Sequence, residues 1–140
     1  MAREDIHAAL FARLTAAAPF ATASRRVRLW NDLSPAQQPA LFLMSRGEEV
    51  TRRDTLPAHR LLRVDILLYA QAPDDDTAGA VVLNPLLDAV ESALRPPPGQ
   101  DKQTLGGLVY DCWIEGQVTT DEGALGSQAV AIVPLRLLIP

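Results

Sequence analysis

Between Arg60 and Ala70 the side chains alternate with a period of two: Leu62, Val64, Ile66 and Leu68 face one way, while Arg63, Asp65 and Tyr69 share the other side with Leu61 and Leu67. Successive residues of a strand point to opposite faces of a sheet, so this run predicts a long strand with one fully apolar face. Such a strand needs neighbours in a sheet and a cover for that face, and the rest of the chain must supply both.

The cover comes from two helical patterns. From Glu4 to Ala18, Ile6, Ala9, Leu10, Leu14 and Ala17 recur at three- and four-residue steps, with Glu4 and Asp5 at the positive end of the helix dipole and Pro19 as the stop. Leu83, Leu87, Val90 and Leu94, with Leu86 beside them, form a second stripe that Pro96, Pro97, Pro98 and Gly99 terminate near Arg95. Pro85 fits best at the first helical position with Asn84 as its cap, because a start near Gly79 would place it in the helix interior and force a kink.

The neighbours come from strand patterns. Arg25 to Trp30 alternates in part and predicts a short half-buried strand, followed by a loop to Gln38. Ala40 to Met44 is apolar on both faces, as in a strand covered on both sides. Ser45 to Leu56 is polar and charge-rich, which predicts a connection long enough to stand off the domain. Leu108 to Val118 reads as a strand with one wet side, and Asp121 to Gly126 as a hairpin loop. In the last strand, Ala129 to Ile139, Val130, Ile132, Leu135, Leu137 and Leu138 make both faces apolar, and Pro134 argues for an edge position or a bulge. This order predicts a single domain over residues 1–140 with an α+β fold: a mixed, mainly antiparallel sheet of four to five strands with two helices packed on one face.

At 140 residues, 48% of them hydrophobic and 21% charged, the chain can bury a substantial core without disulfide support. Its net charge of -4 speaks against a strong sequence-independent hold on nucleic acid. The start lacks the basic-then-apolar pattern of a signal peptide, and no apolar run is long enough for a membrane span, so a chain that is cytoplasmic at synthesis is the simplest expectation.

No arrangement of residues carries a reaction. Cys112 is the lone cysteine and falls on the apolar side of its strand. His7 and His59 have no companion at zinc spacing. Ser127 lacks a nucleophile-elbow context, and Gly106-Gly107 lacks the residues of a phosphate cradle. Asp74 and Glu115 loosely echo pieces of a metal-dependent nuclease, but the lysine is missing; Asp74 to Asp76 read better as a solvated acidic loop than as a divalent-ion site. The expectation is therefore no enzyme, no cofactor and no resident metal. What stands out instead is charge. Arg25, Arg26 and Arg28 form the densest basic spot; Arg46, Glu48, Glu49, Arg52, Arg53 and Asp54 mix both signs on one connection; Asp121 and Glu122 mark the last hairpin loop. Together they are the candidate partner or subunit interface. A merely solvated hairpin tip remains an equal reading of the Arg46 to Asp54 segment.

Taken in order, five segments resemble the tail terminator, or tail-completion, proteins of long-tailed bacteriophages and prophages. They are the opening Ile6-His7-Ala8-Ala9-Leu10 helix, Gln38-Pro39-Ala40-Leu41-Phe42-Leu43, the Leu83 to Val90 helix, Thr104-Leu105-Gly106-Gly107-Leu108-Val109, and the closing Val130 to Leu135 strand. The resemblance spans nearly the whole chain and rests on packing and turn elements. It implies a structural virion subunit that forms a homo-oligomeric ring, six-membered in that family, on the head-proximal end of the tail. Such a ring stops tube polymerisation and offers a surface to the head. The implied partners are further copies, the tail tube protein and the head-neck connector protein, with genomic DNA passing through the ring without sequence recognition. A neck or head-tail connector and, further off, a metal-dependent nuclease are the rival readings.

Overall fold

In the computed structural model, which describes residues 2–124 and 126–140, the alternating run becomes the centre of a six-stranded sheet. Met1, and Leu125 of the expected Asp121 to Gly126 loop, lie outside the described residues. The strands are β1 (Thr22–Ser24), β2 (Ala40–Arg53), β3 (Leu56–Gln71), β4 (Asp111–Ile114), β5 (Thr119–Asp121) and β6 (Gln128–Ile139); the helices are α1 (Arg3–Thr15) and α2 (Gly79–Ala93). The sheet order is β1-β2-β3-β6-β4, and β5 also pairs with β6. Only β1 and β2 run parallel; every other pair is antiparallel. The fold is α+β, as the sequence predicts, with more strands than the four to five expected.

Both helices pack on one face. Ile6, Leu10 and Leu14 of α1 and Leu83, Leu86 and Val90 of α2 are buried with Leu62, Val64, Ile66 and Leu68 of β3 and Val133, Leu135 and Leu137 of β6 in one cluster. Burying each such side chain stabilises the fold by about 1.5 to 3 kcal/mol, so the stripes visible in the sequence are what seat the helices. The opposite face is covered only in part. Val27, Trp30 and Leu33 fold over Ala40, Phe42, Leu67 and Tyr69, and the Tyr69 hydroxyl donates to the Arg28 carbonyl at 2.8 Å. Arg25 to Leu29 is consequently not the expected strand. The strand is Thr22–Ser24, and the segment after it leaves the sheet to use Val27 and Trp30 as a lid. Beyond that lid the second face is open: Ile132 is 36% exposed, and Leu138 is half-buried.

Three further expectations are corrected. Ser45 to Leu56 is not a loose connection but a continuation of the β2–β3 hairpin, with only Asp54 and Thr55 between the strands. The expected strand from Leu108 to Val118 is limited to β4, followed by a break and then β5, because Pro134 cannot donate to a neighbour there. β6 is interior and paired with β3 along its length, yet Pro134 falls opposite the break: β4 ends with Ile114 beside Leu135, and β5 begins with Thr119 beside Ile132. A bulge or edge is replaced by a gap in the adjoining strand, which serves the missing N–H equally well. Finally, α2 starts at Gly79 and holds Pro85 in its interior. Val81, whose carbonyl loses the bond Pro85 cannot make, is 61% exposed, so water can take its place.

The early start of α2 depends on Gly79. A Cβ at that position would lie 2.2 Å from the Glu122 carbonyl oxygen and 2.8 Å from its carbon. At the other end of the hairpin base, the Glu48 carboxylate accepts from Arg3 Nε at 2.9 Å and Nη2 at 3.0 Å, and from Arg60 Nη1 at 3.1 Å. The Arg3 bonds, more than those of Arg60, hold the Glu48 carboxyl below the usual carboxylate range although burial acts the other way. Glu48 thereby ties the first turn of α1 to the sheet.

Gly79→Ala is expected to lower stability by about 1 to 3 kcal/mol, because backbone rather than a flexible side chain must move; an unchanged denaturation midpoint would contradict this contact. Glu48 supplies a test in pH. Its folded-state pKa lies below the unfolded one, so its contribution is present above the ordinary glutamate range and is lost as the pH falls through the folded value. Glu48→Gln should therefore cost about 1 kcal/mol near neutral pH, with the two unfolding curves converging in acid. A gap that stays constant with pH would show that the carboxylate's charge is not what matters.

Candidate functional site

β6 accompanies β3 only as far as Arg60, which pairs with Ile139. From Thr51 and His59 outward, β2 and β3 therefore form a two-stranded arm that projects roughly 10 Å past the third strand. Its residues are exposed except for the half-buried Ala58; Leu56 near its tip is 59% exposed, and Val50, just inside its base, is 50% exposed. The tip carries Thr55 at φ +62°, a left-handed conformation that is costly for a β-branched residue. A two-stranded hairpin is marginal in water on its own, and past Arg60 the arm has no third strand beside it among the described residues.

The register of the arm decides what its charges do. It shifts between Ser45 and Gly47, where Arg46 is the extra residue of β2, and again between Thr51 and Arg53, where Pro57 and Ala58 of β3 stand opposite the single residue Arg52. Arg46 turns back to Asp65 at 3.6 Å, and Glu49 is held by Arg63 at 2.9 Å. Glu48 belongs to the Arg3 and Arg60 cluster. Arg53 Nε donates to the Pro57 carbonyl at 2.8 Å and closes the tip next to Asp54. Among the described residues Arg52, Arg53 and Asp54 make no ion pair, so the arm's exposed tip carries charge of both signs.

The other predicted residues fall into two places. Arg25 forms an ion pair with Glu4, the Arg26 amide donates to Ser24 Oγ at 3.0 Å, and the Arg28 carbonyl receives the Tyr69 hydroxyl; all three follow β1, which pairs with the Ala40 to Phe42 end of β2, the end away from the arm. Asp121 and Glu122 lie across the sheet. Asp121 Oδ1 accepts from the Gly123 and Ala124 amides at 2.8 Å each, which makes it a turn-former, and Glu122 meets the acidic Asp74 and Asp75 around a shallow cavity of about 480 Å³. The structure thus splits the set into a mixed-charge group along β1 and β2 and an acidic pair at the last hairpin loop. The sequence reading missed Val50 and Leu56, whose apolar character inside a polar stretch was the available signal. It also missed Gln103, which is buried and bridges the Arg95 carbonyl and the Leu105 amide at 2.7 and 3.1 Å.

The reactive side chains are all engaged in structure. Cys112 is 2% exposed, and burial first, then the neighbouring Asp111, pushes its thiol up to about 12. Asp74 Oδ1 accepts from the Asp76 amide and from the Thr77 amide and hydroxyl at 2.8 to 2.9 Å; the hydroxyl bond is the main reason its carboxyl sits below the usual range. Glu115 accepts from Trp113 Nε1 at 3.3 Å and lies 3.9 Å from Arg136. Among the described residues no three His, Cys, Asp or Glu side chains converge as metal ligands, and no helix is long and apolar enough to cross a membrane. A groove of about 710 Å³ between α1 and α2 is lined mainly by alanines, with Arg13 bonded to the Ala93 carbonyl.

No protein-family model matches this sequence, and no curated protein is similar to it. Among solved structures, the chain is similar to a chain of the virion of a native gene transfer agent (GTA) particle, with a TM-score of 0.57 and 13% identity over 96% of this chain and 93% of that one. At that identity the likeness is one of fold, and it extends over nearly the whole of both chains.

Proposed function

We propose that this chain is a structural subunit of a phage-like virion and serves as a tail terminator. In this reading, copies form a ring, six-membered as in the family it resembles, that caps the head-proximal end of the tail tube and presents a surface to the neck. The observation that carries the reading is the hairpin arm: two strands, free of the sheet, with exposed Val50, Leu56 and Arg52, built to be completed by contact. The fold likeness to a chain of a GTA virion supports placing that contact inside a particle. The engaged state of Cys112, Asp74 and Glu115 supports a part that works by shape rather than by turnover.

Termination then follows from surface complementarity alone. One ring face matches the last ring of the tube; the other differs in shape and charge, so that a further tube subunit finds no match there. The partners are other copies of this chain, the tail tube protein and the neck protein, and assembly takes place in the host cytoplasm. DNA passes through such a ring without base recognition.

Particles made without this chain should show DNA-filled heads beside tails that overrun their length or remain unjoined in electron micrographs. Normal-length, head-attached tails would overturn the assignment, and tails of normal length that fail only to join would move it to the neck connector. Supplying Arg52→Glu/Arg53→Glu in trans should weaken attachment while changing stability by less than about 0.5 kcal/mol, since both side chains are exposed.

A further inference from the structure

The outer side of β2 is covered at its inner end only. β1 pairs with Ala40 to Phe42, and Arg25 and Arg26, which follow β1, stand near Leu43 and Ser45 around a cavity of about 560 Å³ that Glu4 and His7 also line. Beyond the bulge at Arg46, the stretch from Gly47 to Arg53 has no strand on that side among the described residues, and it ends at the tip, Asp54 and Thr55. An open edge presents unpaired N–H and C=O groups and is a template for another strand. The other outer edges do not match it: β1 and β5 have three residues each, and beside β4 the Asp111 carboxylate accepts from the Gln103 and Cys112 amides.

Length and charge fit this edge to a second copy of itself. An antiparallel pairing of the stretch with its own copy uses its whole length only when centred on Val50, the midpoint between Gly47 and Arg53. That centring also sets each side chain against one from the same face of the sheet. It brings Arg52 opposite Glu48, Arg53 opposite Gly47 with Glu49 on the diagonal, and the 50% exposed Val50 opposite itself. Centred one residue earlier, Glu49 would face Glu49 and Arg46 would face Arg52. Glu48 is already held by Arg3 and Arg60, so the Arg52 contact is the lesser part. The tip matters more. It reaches the level of Arg46 and Ser45 on the neighbour, where the cavity lies. Arg25 there is paired with Glu4, whereas Arg26 makes no ion pair among the described residues, and neither does Asp54. Charges on an edge keep most strands away; charges in this order admit a copy.

We propose that the Gly47 to Arg53 edges of two copies pair antiparallel about a two-fold axis at Val50, each tip entering the other's cavity with Asp54 beside Arg26. The contact is isologous, so it joins two copies and stops there. It is small beside the roughly 1,600 Å² of a standard interface, and the dimer is therefore weak and exchanges readily. The inference goes beyond the ring reading and does not rest on it: the pairing covers the arm in the free chain, and contacts in a particle replace it.

The test uses the full chain in solution, followed by sedimentation up to a concentration of about 1 mM, where a contact of this size still registers. A reversible monomer–dimer equilibrium is expected. Val50→Cys, with buried Cys112 left in place, should cross-link into dimers and nothing larger with a short bis-maleimide, since Cβ atoms opposite one another across an antiparallel pair are about 5 Å apart. His59→Cys, exposed on the inner strand of the arm, should not, because three strand spacings of about 4.8 Å separate it from its copy. Asp54→Arg and Arg26→Asp should each weaken dimerisation about fivefold at low salt, and the two changes in one chain should restore it. A chain that stays monomeric throughout, or oligomers that leave Val50→Cys unlinked, would overturn the pairing and leave the ring reading, which is judged on tails, standing. Single charge variants that dimerise as well as the parent, or a combined variant no better than either, would overturn the proposed register and the proposal with it.

Discussion

Strand β3 is the constraint on which the rest of the structure depends. Its 16 residues are flanked on one side by β2 and, from Arg60 onward, on the other by β6. Leu62, Val64, Ile66 and Leu68 give it a continuous apolar face, and that face fixes where both helices sit. Because β3 runs past the end of β6, the same strand that anchors the core also leads out into an arm with no third neighbour. Core and candidate interface are two ends of one element.

That division explains what the sequence could show. Periodicity reports burial of one face, so α1, the inner part of β3 and β6 were legible from residues such as Ile6, Leu10, Leu14 and Leu62. Beyond Gly47 on β2 the side chains are mostly polar on both faces, and past Arg60 the hairpin has no third strand beside it, so the alternation that marks a half-buried strand is missing there. Arg25 to Trp30 misled in the opposite way: its alternation is real, but Val27 and Trp30 use it to cover the open face rather than to extend the sheet. Pro85 and Pro134 were each read by their local cost alone. In the fold, solvent at the exposed Val81 and a gap between β4 and β5 absorb that cost.

The candidate interface shows the same limit one level up. Its charged residues were visible as a set, whereas their sorting depends on register. The bulge at Arg46 lets it return to Asp65, and the same register brings Glu48 to Arg3 and Arg60. Exposed ion pairs contribute little stability, so pairs such as Glu49 with Arg63 shape the surface more than they hold the fold.

The central claim, that this chain acts as an assembled part at the head-proximal end of a tail, is most directly tested by electron cryomicroscopy of purified particles at side-chain resolution. The account predicts density for this fold as a closed ring between tube and neck, with every arm from Thr51 to His59 ordered against a neighbouring protein. Particles from which the chain is missing, or in which it occupies the capsid shell with its arms free in solvent, would contradict it.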